Sequence, residues 1–219
     1  MEAQSPESGD EAARLRRCLN DLVSIMALPA LWAGGEPRQI VGTMLDALVG
    51  MLRLTFAFVR LKDPDGGPFI EVTRVGDPIG ETAQTSDMAE ALEASFGDVA
   101  VRWPRSARLS VGGASLSVAC SRLGFDGEIG VVVAGSRALD FPDQMETLLL
   151  DVAANQAAIG LQQARLLSEQ KRALRELDQR VAQRTRELAA ANDEMKRSER
   201  NLQLIIDTIP ALAWSARPD

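Results

Sequence analysis

Apolar residues recur at three- and four-residue steps from the start of the chain. Leu15, Cys18, Leu19, Leu22, Val23 and Met26 form one stripe, which predicts an amphipathic helix beginning near Glu11 after a polar tail over residues 1–10. Ala33, Gly34 and Gly35 interrupt the pattern, and Pro37 suits the first turn of a second helix. That helix is expected to run to about Arg53, with Ile40, Met44, Leu45, Leu48 and Met51 as its buried stripe. Aromatic and branched residues then take over, so residues 54–61 read as a strand, residues 63–67 as a turn and residues 69–75 as the returning strand. A short helix over 87–96 precedes a loop at Arg102, Trp103, Pro104 and Arg105. Strands are predicted at 108–111, 115–123 and 129–134, the last two joined by a turn at Phe125, Asp126, Gly127 and Glu128.

Phe141, Pro142 and Asp143 mark the start of another helix, and no stop signal follows before Pro210. About 65 residues of helix would extend roughly 100 Å at 1.5 Å per residue, more than a small domain can cover. Gly160 is its one weak point, costing about 1 kcal/mol relative to Ala if exposed. Stepping by sevens within it gives Leu167, Leu174, Val181, Leu188, Met195, Leu202 and Ile209, all apolar. The companion lane reads Gln170, Leu177, Arg184, Ala191, Ser198 and Ile205, alternating polar with apolar or small. An ordinary helical stripe drifts by about 20° per heptad, so a sustained seven-residue spacing fits a coiled coil better than a solvated linker held by charge pairs. The expected dimer interface is therefore Leu167, Leu174, Leu177, Val181, Leu188, Met195, Leu202, Ile205 and Ile209. Flanking residues leave its orientation open, because Glu194 and Glu199 would face like charge in a parallel pair.

Composition narrows the chemistry. The formal charge is −7 over 219 residues, and the expected coiled-coil segment is its most basic part, so the remainder is acidic and ill suited to a phosphate backbone. Nucleic acid is not an expected partner. Histidine is absent, which removes His general bases, Ser-His-Asp triads and His-ligated metals, along with any phosphoacceptor histidine within these residues. Cys18 and Cys120 form no CxxC pair, which fits a reducing cytoplasm. No secretory signal opens the chain, and its longest apolar run, residues 47–59, is too short to cross a bilayer.

Residues 123–131, with Asp140, Phe141, Pro142 and Asp143 and the Ala-rich stretch 151–166, resemble the closing part of a GAF domain. The resemblance spans about residues 11–166 and implies an α+β fold: a GAF-like antiparallel sheet of five to six strands flanked by helices, with a long C-terminal coiled-coil helix. Residues 181–192 resemble linkers between bacterial sensory domains, and residues 198–219 resemble the opening of a PAS domain. The implied organisation is a tail over 1–10, a sensory domain over 11–162, a signalling helix over 163–200 and a PAS start over 201–219. That order resembles the front of a sensor histidine kinase, with a diguanylate cyclase as the alternative output. The resemblance implies a cytoplasmic homodimer joined through a parallel coiled coil to PAS and output domains, with catalysis beyond Asp219.

Two further alternatives rest on cysteine. Bilin-binding relatives of the family would use Cys120, which alternates with Leu116 and Val118 on a strand, although the histidine such sites employ has no counterpart. GAF-like methionine sulfoxide reductases use clustered thiols, whereas Cys18 and Cys120 fall in an early helix and a central strand. No cofactor is evident, and a small-molecule ligand is left unidentified. Trp103 with Arg102 and Arg105 is either a pocket lid or a loop anchored by a buried indole. Phe56 and Phe58 share one strand face, as core or as pocket wall.

Overall fold

The computed structural model describes residues 6–32, 34–64, 66–76 and 85–214, and residues 1–5 of the expected tail over 1–10 and the last five residues of the PAS-like opening fall outside them. The architecture is α+β. Helices α1 (Pro6–Ala27) and α2 (Pro37–Leu52) precede strands β1 (Phe56–Leu61) and β2 (Ile70–Val75). Helix α3 (Thr85–Phe96) precedes β3 (Ser106–Val111), β4 (Ala114–Leu123) and β5 (Gly130–Ser136), and α4 (Gln144–Trp214) closes the chain. The strands form one antiparallel sheet in the order β2-β1-β5-β4-β3. Contacts divide the chain into two compact units, residues 1–166 and 167–219.

Strand alternation sorts the core of the first unit into two layers. Ala57, Val59 and Leu61 of β1 join Val132 and Ala134 of β5 on the face covered by α1, α2 and α4. Phe56, Phe58, Val131 and Val133 point the other way, beneath Met88 and Leu92 of α3. Being covered on both faces, β1 and β5 are buried along their whole length. This is why they read as continuous apolar runs rather than alternating ones. Gly135 stands opposite Phe56 in the register, and a Cβ there would lie 1.9 Å from the Phe56 ring, so the glycine makes room for the aromatic.

Helix α1 begins at Pro6, five residues before the expected Glu11, and its apolar stripe divides. Cys18 and Ile25 are buried and Leu22 is half-buried, while Leu15, Leu19, Val23 and Met26 remain exposed. The stripe is wider than the surface that the rest of the unit offers it. Helix α2 is placed as expected, with Ile40, Met44, Leu45 and Leu48 buried and Met51 half-buried. Its entry is fixed by the Glu36 N–H donating to Gln39 Oε1 at 3.1 Å, and it ends at Arg53 in a left-handed conformation (φ 48°).

Helix α4 starts with a reciprocal cap. The Glu146 N–H donates to Asp143 Oδ1 at 2.7 Å, and the Asp143 N–H donates to Glu146 Oε2 at 2.8 Å. Its first turns bury Leu149, Leu150, Ala153, Ala154, Ala157, Ala158 and Leu161, and the four alanines let the helix approach the sheet closely. Gly160 has a different role from the expected weak point. It is buried, and a Cβ there would lie 2.8 Å from Cε3 of Trp32, so the glycine seats the indole. Gly160→Ala, a gain of about 1 kcal/mol on helix propensity alone, should instead lower the unfolding free energy by about 1 kcal/mol through overpacking. Urea denaturation of the two proteins gives the sign.

Candidate functional site

Three regions of the first unit gather polar or reactive side chains. The first lies on the α3-covered face. Arg60 follows Phe56 and Phe58 at alternate positions of β1, so it points into this layer with only 3% of its side chain exposed. Glu71, its cross-strand partner on β2, accepts from Arg60 Nε at 2.6 Å and pairs with Nη2 at 2.6 Å. Glu93 of α3 approaches Nη1 at 2.7 Å, in an ion pair lying off the N–H direction. The guanidinium also lies 5.5 Å from the ring centroids of Phe69 and Trp103 and 5.8 Å from that of Phe58. One cation therefore ties two strands, a helix and a loop together. Sequence reasoning missed it, although its place in the β1 alternation and its position opposite Glu71 were available signals.

Trp103 settles on the anchoring side of the two readings. It is buried, donates its indole N–H to the Gly97 carbonyl at 2.8 Å, and packs against Phe58 and Phe96 with centroids 6.5 and 6.1 Å away. Arg102 and Arg105 point outward and are exposed. Phe56 and Phe58 are fully buried in the same layer, as core.

The second region is an open cleft of about 390 Å³ bordered by α2, the ends of β1 and β2, the β4–β5 turn and α4. Leu61, Ile70, Ile129 and Leu161 supply its apolar wall, with Lys62 and Gln162 among its polar residues. The Lys62 ammonium donates to the Gly127 carbonyl at 3.3 Å. The third is a polar recess of about 270 Å³ on β4 and α4. There the Ser121 hydroxyl donates to Asp151 Oδ1 at 2.6 Å, and Arg105 stands 3.6 Å from the same carboxylate. Ser121 is buried, so this bond joins the sheet to the first turns of α4. Among the described residues, no group of three or more Cys, Asp or Glu side chains is placed to hold a metal ion.

The cysteines occupy opposite faces of the sheet. Cys18 is buried in the helix-side layer, and its thiol is raised by burial and then by the Asp21 and Asp143 carboxylates. Cys120 packs against the α3-side layer, where burial pushes its thiol up to about 12 from an ordinary 9.0.

The second unit is made from helix alone. Every side chain from Arg165 to Thr208 is exposed, including all the predicted seam residues from Leu167 to Ile205. The seam leucines Leu174 and Leu188 are 61% and 71% exposed. The side chain of Ile209, the last predicted seam position, lies outside the described residues. Leu204 and Ile206, which were not expected in the seam, are exposed beside it. Ion pairs within the helix join Arg180 to Glu176 at 2.5 Å and Arg184 to Glu187 at 3.0 Å. Among the described residues, no helix is long and apolar enough to cross a membrane.

No family model and no curated protein matches the chain. Among solved structures it is similar to the "GAF domain of a putative sensor histidine kinase" from Pseudomonas syringae pv. tomato, at 18% identity and a TM-score of 0.48, covering 76% of this chain and 97% of that one. It is also similar to GAF3 of Slr1393 from Synechocystis sp. PCC6803, solved in its photoproduct state, at 17% identity and a TM-score of 0.41, covering 61% of this chain and 98% of that one.

The half-buried Cys120 thiol has a measurable consequence. In the folded chain it should resist alkylation at pH 8 and react once denaturant exposes it. Its folded value lies above its unfolded one, so its contribution to stability is complete below about pH 9 and is lost as pH rises towards about 12. Cys120→Ala should flatten that alkaline decline in a denaturation series.

Proposed function

We propose that this chain is the sensory input and dimerisation module of a signal-transduction protein, a sensor histidine kinase in the reading we favour. In this reading the first unit is a GAF-like sensory domain, and α4 passes its state along a parallel homodimeric coiled coil to a PAS domain that opens near residue 201. The kinase domains and phosphoacceptor then belong to other parts of the protein, because these residues contain no histidine.

The exposed seam on α4 is the observation that supports this most strongly. Residues 165–208 form helix without burying a single side chain within the chain, yet they present an apolar residue at each described heptad position. Isolated helices are marginal in water even with favourable sequences, and a few exposed ion pairs add only tenths of a kcal/mol each. A second copy aligned along the lane would bury those side chains at roughly 25 cal/mol per Å² of apolar surface. Gln170, Arg184 and Ser198 form weak layers in that seam. They lower the cost of a change in register or rotation, which suits a helix that transmits signals.

Input reaches α4 at its first turns, through the Ser121–Asp151 bond and the alanine face packed on the sheet. Coupling of 1–3 kcal/mol, typical of allosteric proteins, would shift output several-fold. The photoreceptor and reductase alternatives gain nothing from the cysteines, a buried Cys18 and a half-buried Cys120 that lie on opposite sheet faces.

Sedimentation equilibrium should show a dimer for the unaltered chain. Leu174→Glu combined with Leu188→Glu should weaken dimerisation by at least a hundredfold while leaving the circular dichroism of the first unit unchanged. Cysteines introduced singly at Leu174 and Leu188 should form same-site disulfides in solution. A chain that sediments as a monomer and forms neither disulfide would refute the coiled-coil reading.

A further inference from the structure

The two recesses of the first unit differ in what their own side chains leave unmet. In the polar recess each charge is answered from within. Asp151 accepts from Ser121 at 2.6 Å and faces Arg105 at 3.6 Å, and Arg122 pairs with Asp126 at 2.7 Å. The cleft of about 390 Å³ is built otherwise. Its wall is aliphatic and comes from four places: Leu61 at the end of β1, Ile70 at the start of β2, Ile129 just before β5, and Leu161 on α4. A hydrocarbon body covers such a wall more favourably than water does. The volume falls at the lower end of the range typical of small-molecule sites.

The charged groups on the rim of this cleft are not equivalent. Asp63 turns its carboxylate into its own loop, where a Cβ on Gly67 would collide with it. Glu128 faces Gln162, whose Nε2 lies 3.5 Å from Oε1. Lys62 is exposed, and among the described residues the one polar partner of its ammonium is the Gly127 carbonyl, at a long 3.3 Å. An ammonium carries three donors, so two are left for a group entering the cleft. Arg165, one turn beyond Leu161 on α4, adds a second cation to the rim.

We infer that the cleft is a binding site for a small aliphatic monocarboxylate, with its chain against the four aliphatic residues and its carboxylate on the Lys62 ammonium. The inference rests on the reading of the first unit as a sensory domain and names the class of signal it takes. Two features select the class. The lining holds no aromatic ring on which a planar ligand could stack. A lone ammonium is a point charge that matches one carboxylate, whereas a phosphate calls for several donors at once. The ligand would bridge β1, β2, the β4–β5 turn and α4 on the face of the sheet turned away from Arg60 and α3. Leu161 is the last residue that α4 buries, so the ligand meets the helix at the end of its packed part.

Isothermal titration of the whole chain with octanoate, octanol and octylammonium tests this, because the three share a body and differ in the head. Octanoate should saturate one site per chain and bind about tenfold tighter than either of the others. Lys62→Gln, at an exposed position, should weaken octanoate by about tenfold and leave octanol unchanged. Amide NMR shifts moved by octanoate should centre on Leu61, Ile129 and Leu161. Shifts centred instead on Glu93 and Trp103 would put the ligand under α3 and overturn the cleft assignment. Octanol binding as tightly as octanoate, octanoate binding that ignores Lys62→Gln, or no saturable binding would each overturn it too. Sedimentation separates this result from the coiled-coil reading. A dimeric chain that does not bind octanoate loses the ligand assignment alone, whereas a monomeric chain that binds it in the cleft loses the coiled coil and keeps the site.

Discussion

The stability of α4 beyond its first turns is the constraint on which the rest of the molecule depends. Over residues 165–208 the helix has its backbone hydrogen bonds and scattered exposed ion pairs, and no side chain is buried. Helix formation in water is a balance of small terms, and most helical stability in proteins comes from covering an apolar face. The seven-residue repeat is the basis of the proposal that a second helix covers that face. Across the lane from Leu167 to Ile209 an unsupercoiled helix would let the stripe drift by roughly 120°, at about 20° per heptad. In the coiled-coil reading proposed above, the seven-residue step would keep those residues on one seam as two helices wind around each other.

The first unit is built around the opening turns of the same helix. Alanines at 153, 154 and 157 let α4 lie close to the sheet, and Gly160 does the same for Trp32. Such close packing tolerates little independent movement, so displacement of the sheet or of Trp32 is felt by α4. The Ser121–Asp151 bond adds a directional tie between β4 and α4. On the far face of the sheet, Arg60 holds β1, β2 and α3 to one another through two carboxylates and three aromatic rings. A rearrangement of α3 must work against that cation, and β1 carries the effect to the helix-side layer.

Much of this was legible in the sequence because periodicity is set locally. The five strands fell within two residues of their expected positions, since alternation and turn residues fix where a strand lies. The seven-residue lane was equally plain as a spacing, and the structure leaves its described residues exposed on helix α4. Other features depend on what a residue meets across the fold. Gly160 read as a defect until Trp32 was seen to rest on it. The residues on α1 read as a single apolar stripe, but the available surface covers only the Cys18, Leu22 and Ile25 side, and no local pattern states how much of a stripe its own domain will cover. Arg60 and Glu71 are eleven positions apart, and only the β1–β2 register makes them partners.

Hydrogen exchange of the α4 amides at several protein concentrations would test the central claim most directly. If pairing along the seam stabilises the helix, amides over residues 167–205 should be protected above the dimerisation constant and exchange much faster below it, while β1 and β5 keep their protection throughout. Protection of α4 that is unchanged by dilution into the monomeric range would show that the helix stands without a partner and would contradict the account.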